Sequence, residues 1–450
     1  MRQGERRRTV WTRRSILAVI AAALLLSTAP AAANGRFPRA DQVVFQPLEP
    51  DTIAIMTTFG LLVSDDRGRS FRFYCEEAFQ YLDGEDPSIA LGFDGTIMVG
   101  VSDGLVAMGT DRCRTYRRAD LEYQDVIDLA GSPNGAIIVA ALASPDPVSV
   151  ARVARSDDGG HTFTVPTDGF AGLRLETVEI APSNPMRVYA SGYDLTTRAD
   201  VLLRSDDGGT VFTRVGAALA GTSGWFVSGV DPTNADVLYV RARLAGGASP
   251  GDGGTAEAGT VLLRSDDGGE HVREIGRTAD GMKGFAIDDT GRTLWIGSPA
   301  EGLARSDDNG PFVRVAGVSV EFLRFDRGSL YIGETFSPGG VLLGRSSDGG
   351  GTIESVLRFS EIQGPPQCHA GTIIADICPG RWSQVRTTIG AIPPNMDASI
   401  DGGHGPATPN CGCHVASTSH AKTRSRGLFL AALLSVLVRP KRRRARAQGL

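Results

Sequence analysis

The stretch RSDDGG at Arg204–Gly209 decides how this 450-residue chain folds. It returns letter for letter at 155–160 and at 264–269. Looser copies read RSDDNG at 305–310, RSSDGG at 345–350 and VSDDRG at 63–68. A worn seventh copy, Gly109-Thr110-Asp111-Arg112-Cys113, keeps the aspartate and loses the serine. Aligned on the serine position, the copies start at Ser64, Gly109, Ser156, Ser205, Ser265, Ser306 and Ser346, in steps of 45, 47, 49, 60, 41 and 40 residues. Self-similarity at such a period is the mark of an array of one supersecondary unit.

Each unit reads as four short strands. Around the fourth copy, LETVEIAP, RVYASG, VLLR and VFTRV follow one another, separated by the turn SNPM and by RSDDGG itself. Apolar alternation bounded by Asn-Pro, Asp-Gly and Asn-Gly turns signals hairpins. Four-stranded units repeating every 40–60 residues make propeller blades. No part of 40–360 has helical periodicity. The expectation is all-β: a seven-bladed β-propeller of four-stranded antiparallel blades within 34–360. The recurrent motif then turns the chain between the third and fourth strands. Its carboxylates (Asp66, Asp111, Asp158, Asp207, Asp267, Asp308 and Asp348) accept hydrogen bonds from the turn's own N–H groups, and glycine supplies the positive φ. That use is structural, with no metal at these positions.

The fullest copy, Ser156-Asp157-Asp158-Gly159-Gly160-His161-Thr162-Phe163, resembles the Asp-box, or BNR repeat, of sialidases, sortilin-type receptors, some xyloglucanases and photosystem assembly propellers. The resemblance implies the propeller fold and an exported location. It names no ligand, because such propellers carry unrelated functions.

Both ends look like targeting segments. Arg6–Arg8 and Arg13-Arg14 precede an apolar run from Ser15 to Leu26 and the small residues Ala31–Ala33, the layout of a secretory signal cleaved after Ala33. Thr12–Leu17 also resembles a twin-arginine signal, so either export route stays open. At the other end, Cys411-Gly412-Cys413 precedes a 12-residue apolar run, Gly427–Val438, and a basic cluster. That run is short of the ~20 residues a membrane-crossing helix needs. The arrangement resembles the MYXO-CTERM sorting tail, which implies processing or anchoring at Cys411 and Cys413; a retained membrane anchor at 422–450 is the alternative.

Charge and cysteine content narrow the function. Six of the 46 basic residues lie in 1–33 and nine in 422–450, against one acidic residue, Glu5. The remaining 34–421 holds 31 basic and 50 acidic residues, a net charge of −19. So acidic a domain is a poor partner for nucleic acid. Six cysteines suit an oxidising compartment. Sequence proximity pairs Cys75 with Cys113 and Cys368 with Cys378, the latter in a capping segment, 361–392, ahead of a Pro/Gly-rich tether, 393–421.

Function is expected on the face opposite the serine turns, in the loops between second and third strands and between blades. The carboxylates Glu85, Asp86, Glu122, Asp125, Glu176 and Glu321 fall there, with Tyr123 beside Glu122 and other aromatics such as Tyr193 and Trp225 nearby. Glu122, Tyr123, Asp125 and Glu176 are the candidates for sialidase-like glycoside hydrolysis, which uses paired carboxyls. No nucleophile–base pair, phosphate loop or dinucleotide fingerprint occurs, and no cofactor is expected. The first expectation is therefore a monomeric, surface-anchored propeller that binds a protein or glycan without turning it over. A secreted glycoside hydrolase is the second.

Overall fold

The computed structural model describes residues 37–48, 51–81, 84–143, 150–216, 219–244 and 259–391. The leader with Ala33, the Cys411/Cys413 tether, the 422–450 tail and most of the Gly-rich insert at 245–258 lie outside the described residues. Seven four-stranded antiparallel sheets form the protein, each built from four strands consecutive in the chain. Blade 1, for example, is Ala40–Phe45, Ile53–Thr57, Gly60–Ser64 and Arg72–Tyr74. The chain is a seven-bladed β-propeller.

Burial follows the distance of each strand from the channel and the rim. Second strands such as IAIMT at 53–57, IMVGV at 97–101 and IVAALA at 138–143 are buried along their whole length. They lie between neighbouring blades on both faces, so they read as continuous apolar runs rather than alternating ones. Fourth strands at the rim, such as Val313–Ala316, are largely exposed.

The serine turns share one hydrogen-bond pattern in five blades. The hydroxyls of Ser64, Ser156, Ser205, Ser265 and Ser346 donate to Asp66, Asp158, Asp207, Asp267 and Asp348 at 2.7–2.9 Å. Each serine oxygen in turn accepts from the glycine N–H four residues on, at 2.7–2.9 Å. Each aspartate also accepts a backbone N–H further along the turn, as from Thr162, Val211 or Thr352 at 2.9 Å. Gly160 shows why that position is glycine: its φ is +89°, and a Cβ there would lie 2.0 Å from the Met98 sulfur of the preceding blade.

Two turns depart from this pattern. Asp308 does not hold its own turn; it pairs with the Arg292 guanidinium at 2.6 Å, while Ser306 donates to the Gly310 carbonyl. The backbone differs here: Asp308 and Asn309 take positive φ, +51° and +61°, one position earlier than Gly159 and Gly160 or Gly208 and Gly209 do. In blade 2, Asp111 accepts only from the Cys113 N–H at 3.1 Å, because Gly109 supplies no hydroxyl.

In blades 3, 4 and 5 the arginine before the serine reaches across the blade boundary, whereas Arg305 and Arg345 pair with Asp307 and Glu354 of their own blades. Arg155 donates to the Gly208 carbonyl of the next turn at 2.8 Å, and Arg204 to Gly268 at 3.2 Å. Arg264 bonds the Asn309 side chain in the same way. In blade 2, Arg112 works backwards, pairing with Asp65 of blade 1 at 2.8 Å. On the channel side, Gln42 exchanges hydrogen bonds with Ile89, and Asp128 accepts from Ser88 of blade 2 and from Thr177 and Val178 of blade 4.

Because no blade mixes strands from the two ends of the chain, the ring closes at a seam between blades 7 and 1. Arg39 and Thr335 form a bridge, and the Phe336 N–H donates to the Pro38 carbonyl at 2.9 Å. Phe45 packs on Tyr331 with ring centroids 4.6 Å apart. The segment after blade 7 then runs on past blade 1. Gln363 pairs with its outermost strand, bonding Phe71 and Phe73, and Trp382 of the helix Cys378–Ile389 packs on Phe73.

The cysteines correct the pairing expected from proximity. Cys75 is bonded to Cys378 and Cys113 to Cys368, across 303 and 255 residues. Cys75 follows the fourth strand of blade 1, on the face opposite the serine turns, whereas Cys113 lies inside such a turn, so the two cannot meet. Both bonds instead tie the C-terminal cap to blades 1 and 2. They are consistent with an exported protein.

Two outcomes follow for stability. Converting Cys75 and Cys378 to serine is expected to cost about 2–5 kcal/mol in chemical denaturation, with loosening read first by hydrogen exchange in 361–391; unchanged exchange there would show that the cap does not hold the seam. The turn aspartates set the acid limb. The Val211, His271 and Thr352 N–H groups hold the carboxyls of Asp207, Asp267 and Asp348 below the usual range, the latter two at about 2. At Asp66 and Asp158 slight burial pulls upward, and the turn hydrogen bonds outweigh it. Their folded-state pKa lies below the unfolded one, so this stability is complete above pH ~4 and lost as pH falls toward ~2. Asp207→Ala should lower the melting temperature at pH 7 and flatten that acid decline.

Candidate functional site

The face opposite the serine turns gathers its charges around two arginines. Arg174, at the start of the first strand of blade 4 (Leu173–Ile180), lies 4.0 Å from Asp125 and 3.6 Å from Glu176. Glu176 follows Arg174 by two residues on the same side of the strand, at a bulge where the register with the second strand slips between Leu175 and Thr177. Asp125 opens the first strand of blade 3. Burial raises the pKa of both carboxyls; Arg174 opposes this at each, and Arg243 and Arg198 oppose it at Glu176. Beside them Arg198 covers the Tyr193 ring at 4.2 Å, and Asp200 accepts from the Gly224 and Trp225 N–H groups at 3.0 and 3.2 Å.

The second centre is Arg39, at the seam. It lies 2.6 Å from Asp41 and 3.8 Å from both Asp86 and Glu321.

Glu122 and Tyr123 stand apart from Arg174. They follow a short 3-10 turn (Ala119–Leu121) in the connection between blades 2 and 3, with Tyr123 at φ +63° and 66% exposed. The phenol donates to the Glu122 carboxylate, which raises its pKa. No hydrogen bond or ion pair joins this couple to Asp125 or Glu176 among the described residues. The structure thus brings together two of the four candidates, through an arginine the sequence reading passed over. Of the aromatics, Trp225 and Tyr81 are buried in the packing.

A cavity of about 690 Å³ occupies the central channel and opens on the other side, with the serine turns. All seven blades line it. Pro47, Pro133, Pro182 and Pro232, each in the turn after a first strand, set a stiff rim. Glu179 lies within it, where burial and the Asp128 carboxylate push its pKa up to about 8 against the pull of Arg324. Among the described residues no cluster of three or more His, Cys, Asp or Glu side chains could hold a metal, and no helix is long and apolar enough to cross a membrane.

No family model and no curated protein matches the chain. Solved structures resemble it in fold. They include Kuenenia stuttgartiensis hydrazine synthase, with a TM-score of 0.48 and 12% identity over 68% of this chain and 95% of that one. An ancestral GH74 enzyme has a TM-score of 0.49 and 17% identity over 72% of this chain and 45% of that one. The GH74 xyloglucanase of Xanthomonas campestris has a TM-score of 0.34 and 16% identity, covering 73% and 65%. Each is a likeness of the propeller fold.

The charge pattern predicts two titrations. Arg174→Ala removes the cation that holds down Asp125 and Glu176, so both carboxyls should titrate at higher pH, as read by carboxyl NMR. For Glu179 the folded pKa, about 8, lies above the unfolded one. The fold therefore loses stability as pH rises from ~5 to ~8. Glu179→Gln should remove that slope in denaturation measured across this range.

Proposed function

We propose that this chain is an exported, surface-displayed binding propeller that engages a glycan or protein through the face opposite its serine turns. The Asp-box reading of those turns belongs to this proposal, as do export through the 1–33 leader and attachment through the 422–450 tail. One observation carries the binding reading. The carboxylates of this face are gathered beside arginines, Asp125 and Glu176 at Arg174, and Asp41, Asp86 and Glu321 at Arg39. Fixed charge pairs flanked by the exposed Tyr123 and the Arg198–Tyr193 stack suit hydrogen-bonded and stacking recognition.

A hydrolase is the second reading, and one feature favours it. Asp125 and Glu176 share one guanidinium, which keeps their carboxyls within roughly 10 Å, the range glycoside hydrolysis uses. Both are raised by burial, as a general acid requires.

A glycan array probed with the 34–421 fragment separates the readings when paired with a panel of fluorogenic glycosides. Binding that weakens about tenfold or more in Arg174→Ala, with no turnover by the wild type, is the expected result. Turnover abolished by Glu176→Gln or Asp125→Asn would replace the binding reading with the hydrolytic one.

A further inference from the structure

The lumen of the propeller contains a charged pair that the fold does not use. Most polar groups lining the channel are already engaged. Asp288 accepts from the Arg292 and Thr293 N–H groups and from the Thr290 hydroxyl at 2.9–3.1 Å. Asp326 is paired with Arg327 at 2.9 Å. Asp128, deeper in, accepts from Ser88, Leu129, Thr177 and Val178. Glu179 of blade 4 and Arg324 of blade 7 differ. Both line the cavity, and among the described residues neither side chain makes a hydrogen bond or an ion pair. The exposed rim aspartate Asp289 is the other charged lining residue without a partner.

An unpaired carboxyl in a lumen walled by Ile89, Leu129, Ile180, Val230 and Phe285 is costly unless something completes it. The cavity is of the size that encloses a small organic molecule, within roughly 300–1,000 Å³. Glu179 and Arg324 sense each other's charge without touching. The gap between them therefore favours a ligand that presents a cation to one and an anion to the other.

We infer that the central channel is a binding site for a small amphoteric molecule of the amino-acid class, whose ammonium group pairs with Glu179 and whose carboxylate pairs with Arg324. This site is separate from the binding face proposed above, and either can fail without the other. The proline rim leaves the entrance preformed, so little ordering is needed on entry. An ammonium beside Glu179 stabilises its ionised form. Uptake near neutral pH thus drives the Glu179 proton into solvent as the ligand binds.

Calorimetry with the full chain tests this, using glycine, 4-aminobutyrate and 6-aminohexanoate as a ruler for the gap. Butylamine and butyrate serve as single-charge controls. One member of the series is expected to bind saturably at pH 7 and to release a proton, seen as a heat that changes between phosphate and Tris buffers. Its affinity should fall about tenfold or more in Glu179→Gln and in Arg324→Gln, and both single-charge controls should bind as weakly. Ser228→Phe fills the lumen while keeping both charges, and it should abolish binding as well, which guards against a fold defect in the charge variants. The inference is overturned if no amino acid in the series binds, if butyrate or butylamine binds as well as the amino acid, or if binding survives both charge variants or Ser228→Phe.

Discussion

The structure depends on how its ring is closed. Every blade takes its four strands from one continuous stretch of chain, so no strand from the far end completes blade 1. Without strand exchange, the seam between blades 7 and 1 rests on packing between side chains, on the short backbone bridge of Arg39 with Thr335 and on whatever crosses it. Here the crossing is made by 361–391, which leaves blade 7, runs along the outer strand of blade 1 and is bonded covalently to blades 1 and 2. One apolar cluster is continuous across this junction: Val43, Ile55 and Phe73 of blade 1, Leu343 of blade 7, and Ile374 and Ile389 of the cap. Loops as long as 303 and 255 residues are costly to close by chance in the unfolded chain, which is where a disulfide acts most.

Between seam and seam, the recurrent turn does two kinds of work. Its serine and aspartate satisfy the turn's own backbone, and in blades 3, 4 and 5 the arginine ahead of the serine bonds the turn of the following blade. A copy is therefore both a corner and half of a joint. The blade 6 copy shows that the two roles separate: Asp308 turns to Arg292, and Asn309 still receives Arg264 from blade 5. The joint outlasts the corner.

The sequence made the blade count legible because the motif repeats once per blade and strand alternation brackets it. What it hid are the contacts that repetition cannot encode. Disulfide partners were expected by nearness along the chain, yet a ring brings residue 378 to residue 75 and sends residues 75 and 113 to opposite faces. The arginine of RSDDGG gives no sign of its joint, because its acceptor, a carbonyl in the next blade, leaves no mark on composition. Arg174 was missed for a related reason: its partner Asp125 lies in the preceding blade, and nothing in the spacing marks that contact.

Glu179 makes the sharpest case for reading polar residues by strand position. In LETVEIAP it sits between Val178 and Ile180, where alternation marks a solvent-facing residue on a half-buried strand. In a first strand of a propeller the exposed side faces the channel, whose confined water solvates a charge poorly. The same alternation that gives a rim strand a harmless glutamate gives an inner strand one that is pushed toward its neutral form. A long polar residue at such a position, whether Gln42, Asp128, Glu179 or Arg324, must find a partner across a blade boundary or across the lumen. Gln42 and Asp128 find theirs in adjacent blades and help hold the ring. Glu179 and Arg324 have only the lumen between them, so their cost to folding is recovered when that space is filled by something of matching charge.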